Sequence, residues 1–181
     1  GSNGYMHHKF MIVDRGLPSA KLFFGSYNFT YLQEKHDPSF LMETSRPELV
    51  DIFGEEFERL LSGKHSQKKL SGSNPFAARV EYPEGFLDIW FGPDFQRTGL
   101  KYRMLDLIKS ADSNVKVMIW NLTDNDLASV LAFKAERMAV SIITDDTNFM
   151  TEDSAFKNIL AEKKKKTLDN LEIITDEKRN N

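Results

Sequence analysis

His7 and Lys9 stand two positions apart at the front of an apolar run that closes on Asp14, and a second apolar run ends in Gly25-Ser26-Tyr27-Asn28. If Met6–Val13 is extended, alternation presents His7 and Lys9 on one face and turns His8, Phe10, Ile12 and Asp14 to the other. Such a pair suits phosphoryl chemistry. A neutral ring nitrogen of His7 can attack phosphorus to give a phosphohistidine, while Lys9 neutralises the non-bridging oxygens as a point charge. Ser26 and Asn28, also two apart, can add hydroxyl and amide donors to the same oxygens as charge develops. The scheme requires no metal and no cofactor. It does require a second histidine, because an alkoxide leaves slowly without an acid. His8 has the wrong parity, and His36 and His65 lie in loop and linker sequence without a matching lysine.

The elements that must hold these residues are legible in the pattern. Lys9–Val13 and Lys21–Phe24, separated by a polar stretch with Gly16 and Pro18, predict a hairpin, and Ser39–Glu43 predicts a further short strand. Pro47-Glu48 opens a helix whose buried stripe is expected from Leu49, Ile52, Phe53, Phe57, Leu60 and Leu61, with a stop near Ser62-Gly63. Further on come a strand at 85–91, a helix at 102–109, a strand at 115–120, a helix at 125–137 and a β-branched strand at 139–143 running into Thr144-Asp145-Asp146. This βαβαβ order favours parallel pairing. A polar helix through Lys163–Lys166 and a strand at 171–174 follow. The four lysines read first as a solvated helix face, and Phe23, Phe24, Phe29 and Trp90 read as core rather than as stacking platforms.

Composition bounds the function. The chain of 181 residues is 40% hydrophobic and 28% charged, an ordinary globular balance that excludes collagen, low-complexity disorder and a disulfide mini-protein. With no cysteine, thiol catalysis, cysteine zinc sites and disulfides are excluded together. A net charge of −3 means that affinity for nucleic acid or anionic lipid has to come from a local patch. No apolar run is long enough to span a membrane. Gly1-Ser2 has the form of a protease scar, and on that reading the natural N-terminus and any signal peptide are missing, so localisation stays open. The organisation expected is a half-domain at 1–63, a Lys/Ser/Gly/Asn linker at 64–75 and a βαβ half-domain at 76–181.

With these residues in place, the sequence resembles the phospholipase D superfamily. The resemblance rests on His7, Lys9 and Asp14 at HKD spacing and on Gly25-Ser26-Tyr27-Asn28-Phe29-Thr30 at a strand end. The second half is more weakly similar to the N-terminal part of the same domain. The resemblance implies an αβα sandwich with a mixed sheet, in circularly permuted or fragment order. It also implies metal-independent hydrolysis of a phosphodiester, with nucleic acid marginally favoured over phospholipid or cardiolipin. Catalysis would fall to His7, Lys9 and Asn28 and phosphate binding to Lys9, Ser26 and Asn28, with a homodimer or a second HKD repeat supplying the acid. Asp14 would be structural, and Asp37, Ser39 or Glu43 would orient the nucleophile. The reading from another class is a catalytically silent module that docks a phosphate or a partner chain.

Overall fold

The computed structural model describes residues 6–63, 77–92 and 99–176. The chain divides into two compact α/β units, Gly1–Gly99 and Leu100–Asn181.

In the first unit, β1 (Phe10–Val13), β2 (Lys21–Gly25) and β3 (Leu41–Thr44) form an antiparallel sheet in that spatial order. The turn between β1 and β2 closes on Asp14, whose carbonyl accepts from the Leu17 N–H at 2.9 Å and whose carboxylate accepts from Ser19 Oγ at 2.8 Å. The hairpin thus forms where Gly16 and Pro18 interrupt the apolar pattern. A short helix that the apolar spacing does not announce, α1 (Tyr31–Lys35), stands between β2 and β3. Its cap is conventional: Thr30 Oγ1 accepts from the Gln33 N–H at 3.3 Å.

The long helix α2 (Pro47–Leu61) starts with proline in its first turn, as its sequence predicts, and buries Leu49, Val50, Phe53, Gly54 and Glu56. Two members of the expected stripe are not core: Phe57 and Leu61 are exposed. The reason is geometric. Each four-residue step advances about 40° around a helix, so the row 49-53-57-61 winds out to solvent. The row 49-53-56-60 stays near the sheet, and it carries Glu56 under. Phe53 meets the rings of Phe10, Phe24 and Phe91 at centroid distances of 5.2, 5.0 and 5.0 Å. Leu22, Leu49, Val50 and Val80 complete this core.

The strand predicted at 85–91 is β5 (Gly85–Trp90), and it pairs antiparallel with β4 (Ala77–Tyr82) rather than entering a parallel sheet. The tight connection between them selects antiparallel pairing, since a parallel partner needs a crossover of a dozen residues or more. Phe91 and Val80 belong to the core of the first unit.

The second unit opens with α3 (Leu100–Ser110) and then builds a wholly parallel sheet of β6 (Asn114–Ile119), β7 (Ala139–Asp145) and β8 (Leu171–Asp176), in the order β6-β7-β8. The crossovers are α4 (Asn125–Ala135) and α6 (Phe156–Lys166), with a short α5 (Asp146–Phe149) after β7. Leu131 and Ala135 of α4 and Phe156 and Ile159 of α6 pack with Val140 and Ile142 into one core. At the start of α4 the Asp124 carboxylate accepts from the N–H groups of Asp126 and Leu127 at 2.9 and 3.1 Å. Asp124 and Asp126 both hold Lys101 of α3, at 2.8 and 2.6 Å. Burial acts to raise the Asp124 carboxyl, but the Lys101 ammonium and the two amides outweigh it and leave the group below its usual value. Those same carboxylates hold Lys101 well above the usual lysine value.

Candidate functional site

The β1–β2 hairpin brings the two polar segments of the sequence motif to one end of the sheet. Phe10 pairs with Phe24, and the Gly25 N–H donates to the Lys9 carbonyl at 3.2 Å, so the chain before β1 lies beside the chain after β2. The Ser26 N–H donates to the Phe40 carbonyl at 3.0 Å, which adds the entry to β3 to the same end. His7, Lys9, Ser26 and Asn28 therefore share a neighbourhood, while Asp14 lies at the opposite end, in the turn.

Among the described residues no hydrogen bond joins one of these side chains to another. β1 begins only at Phe10, so Met6–Lys9 is not strand. Lys9 Nζ donates to the carbonyl of His7 at 2.8 Å, and partial burial pushes its ammonium below the usual lysine value. Ser26 Oγ accepts from the Phe40 N–H at 3.0 Å, which ties it into the loop. The Asn28 N–H donates to Gln33 Oε1, and its residue is exposed. Among the described residues the exposed His7 ring has no hydrogen-bond partner. Of the three residues expected to orient it, Glu43 pairs with Lys21 at 2.5 Å, and Asp37 and Ser39 are exposed between α1 and β3.

The histidine that does meet a carboxylate is His8. Its Nε2 lies 3.3 Å from Oε1 of Glu56, a side chain with no solvent exposure, and its ring stands edge-on to Phe91 at 5.8 Å. Arg59 approaches the other Glu56 oxygen at 3.6 Å. Alternation does set His8 on the same side as Phe10 and Ile12, as the sequence predicts, and the structure turns that side to the core. The helical row 49-53-56-60 was the available signal for Glu56.

The stretch of chain between Asn28 and Glu43 exposes large apolar side chains and forms an apolar ledge in sequence. Phe29, Tyr31, Leu32, Phe40, Leu41 and Met42 are all exposed, Tyr31 by 72%, and no residue of α1 is buried. Phe29, expected in the core, stacks edge-on against Tyr27 at 5.6 Å on the surface instead. Its φ of 56° is a left-handed conformation that a bulky residue adopts only under constraint, and such residues gather at functional loops. Leu41 and Met42 are consecutive in β3 and face opposite sides of the sheet, so at most five of these side chains share a surface, still more than the isolated surface hydrophobe that needs no explanation.

The lysine run of the second unit is locally engaged. Lys163 donates to the Leu171 carbonyl at 2.8 Å, Lys165 to Glu162 at 3.2 Å and Lys166 to Glu136 at 2.6 Å. Placed in the last turn of α6, these charges also favour the negative end of the helix dipole. His65 and the 64–75 linker lie outside the described residues. Among the described residues no helix is long and apolar enough to cross a membrane.

Residues 2–66 match the family model of the scaffolding anchor of CK1 domain, SACK1. No curated protein and no solved structure matches the chain. The family match overturns the expectation of a phosphodiester hydrolase. The segment carrying His7, Lys9, Ser26 and Asn28 is the very segment that matches a scaffold-type domain, and the nuclease and phospholipase readings fall with the enzyme. The alternative, a module that docks a partner, is the better supported one. In the structure Lys9 and Ser26 hydrogen-bond to backbone groups of their own loops.

Proposed function

We propose that this chain is a partner-binding scaffold module, and that the partner is a protein kinase of the casein kinase 1 type, held on the apolar ledge of the first unit. The observation that carries this reading is that the segment matching a scaffolding anchor of CK1, residues 2–66, contains every residue of the ledge. Aromatic and large aliphatic side chains are the usual anchors of protein interfaces, and the left-handed backbone at Phe29, with its ring against Tyr27, sets one of them in place before any partner arrives. In this reading the hairpin keeps a phospholipase D-type frame, part of an αβα sandwich, whose polar loops now build a surface in place of a reaction centre.

The test is titration of the full chain with the isolated kinase domain. Binding is expected, and the pair Tyr31→Ala and Phe40→Ala should weaken it at least tenfold, whereas His7→Ala should leave it unchanged. Absence of binding would overturn the scaffold reading, and unaltered affinity in the double variant would overturn the ledge.

A further inference from the structure

Among the described residues of the second unit, the helices pack against one face of the parallel sheet. Val115, Val117 and Ile119 of β6, Val140 and Ile142 of β7, and Leu171 and Ile173 of β8 pack on the core with α4 and α6. The register sets the opposite face in rows: Lys116, Ser141 and Glu172, then Met118, Ile143 and Ile174. Trp120 continues the alternation beyond β6. Met118 and Trp120 are 73% and 71% exposed, and Ile143 and Ile174 are also open. Wholly parallel sheets are normally covered on both faces, so this face is built to be covered.

The charge pattern says by what. With β7 in the centre, Lys116 stands on one outer strand and Glu172 on the other, in the same row. A two-fold axis lying between two such sheets and running close to the β7 direction exchanges β6 with β8 and keeps every row in place. Lys116 of one copy then faces Glu172 of the other, twice. Ile143 meets its own copy on the axis, flanked by Met118 against Ile174. Within one chain Lys116 makes no ion pair among the described residues, while Glu172 has only a 3.5 Å approach from Ser141 Oγ. We propose that this chain self-associates through the uncovered β6-β7-β8 face in an isologous pair, with Lys116–Glu172 bridges on both sides of an Ile143-centred apolar strip.

This pairing differs from the His7-centred dimer that the resemblance implies, in face and in purpose. Three strands about 4.8 Å apart and six residues of about 3.3 Å each give a footprint of roughly 14 by 20 Å. Even with Trp120 added, that is below the roughly 800 Å² per partner of a standard stable interface, so the association is weak and reversible. For a scaffold, it would place two copies of the bound partner in one complex.

The experiment is sedimentation equilibrium of the full chain from about 10 μM to about 500 μM, the range in which a weak pair forms. The apparent mass should rise from 20.8 kDa toward twice that value. Lys116→Glu alone, and Glu172→Lys alone, should each shift the midpoint at least tenfold to higher concentration, and the double charge swap should restore it. Ile143→Glu, which sets like charges on the axis, should abolish pairing. A monomer at all concentrations, or a dimer indifferent to the single reversals, would overturn the proposal. A second measurement needs no variant: carbodiimide coupling of mixed isotope-labelled and unlabelled chains should join Lys116 of one to Glu172 of the other. Cross-links confined to a single chain would overturn it equally.

Discussion

Burying a carboxylate costs several kcal/mol unless cations and donors surround it, and Glu56 is fully buried with His8 at 3.3 Å and Arg59 at 3.6 Å. Removing His8 therefore withdraws a neighbour from a charge that cannot reach water, and also an edge-on contact with Phe91. We expect His8→Ala to cost about 1–3 kcal/mol in urea unfolding. His7→Ala should stay within about 0.5 kcal/mol, because an exposed ring without a partner contributes little. The order is the reverse of what a catalytic His7 and a bystander His8 would suggest for function, and equal losses would show that the Glu56 contact is not stabilising. The parity of His7 against His8 was readable from the sequence, but which face met the core was not, since alternation divides residues between two faces without saying which is buried.

At the scale of elements, two glycines separate backbone crowding from side-chain crowding. A Cβ on Gly25 would strike the backbone carbonyl of Phe40, at the point where β2 and the entry to β3 are joined. Gly25→Ala should cost about 2–4 kcal/mol, measured by thermal unfolding, and should loosen β3 with the ledge. A Cβ on Gly54 would instead meet the mobile end of Arg15, which can swing away at the loss of its exposed 3.6 Å approach to Asp51. Because alanine is also the better helix former by about 1 kcal/mol, Gly54→Ala should change stability by no more than about 1 kcal/mol in either direction. A large loss there would mean that Arg15 is fixed.

The cap of α4 makes a pH prediction. Asp124 has a folded value below its ordinary 3.8, so the stability it contributes is present above that value and is lost as pH falls through the lower folded one. Asp145 behaves alike: burial opposes, but donors from Thr147 and Asn148 hold it down. Lys101 is raised above its ordinary 10.5, so its contribution is complete below that and fades only at stronger alkali. The second unit should hence be level in stability through neutral pH and weaken below pH 3.8. Asp124→Asn keeps a capping oxygen while removing the charge that holds Lys101, and should flatten the acid limb in a pH series of unfolding midpoints. An unchanged limb would place the acid sensitivity elsewhere.

For the whole molecule, each unit has a core of its own and shows a different kind of surface: the first an aromatic ledge on loops and a short helix, the second a flat sheet face. The proposed scaffold role would work through such surfaces, and the one result that separates it from an enzyme is functional. The chain should not turn over a bis-aryl phosphodiester, and His7→Ala should leave kinase binding intact. Phosphodiester turnover lost in that variant would return chemistry to His7.

The sequence by itself determined the hairpin, the proline-led helix and the parallel βαβ run. Those rest on local periodicity and on turn residues, which act over a few positions. It also brought His7, Lys9, Ser26 and Asn28 to one end of the hairpin, because the turn dictates the pairing. Only the tertiary structure decided what they do there. The packing of α2 on the sheet turned His8 and Glu56 inward, and Ser26 was committed to Phe40 by a contact fourteen residues away. The ledge was decided at the same level. Phe29 and Phe57 carry the same side chain as Phe24 and Phe53, and composition cannot tell an exposed phenylalanine from a buried one. What separates them is which direction each backbone position faces once a second element arrives to cover one side.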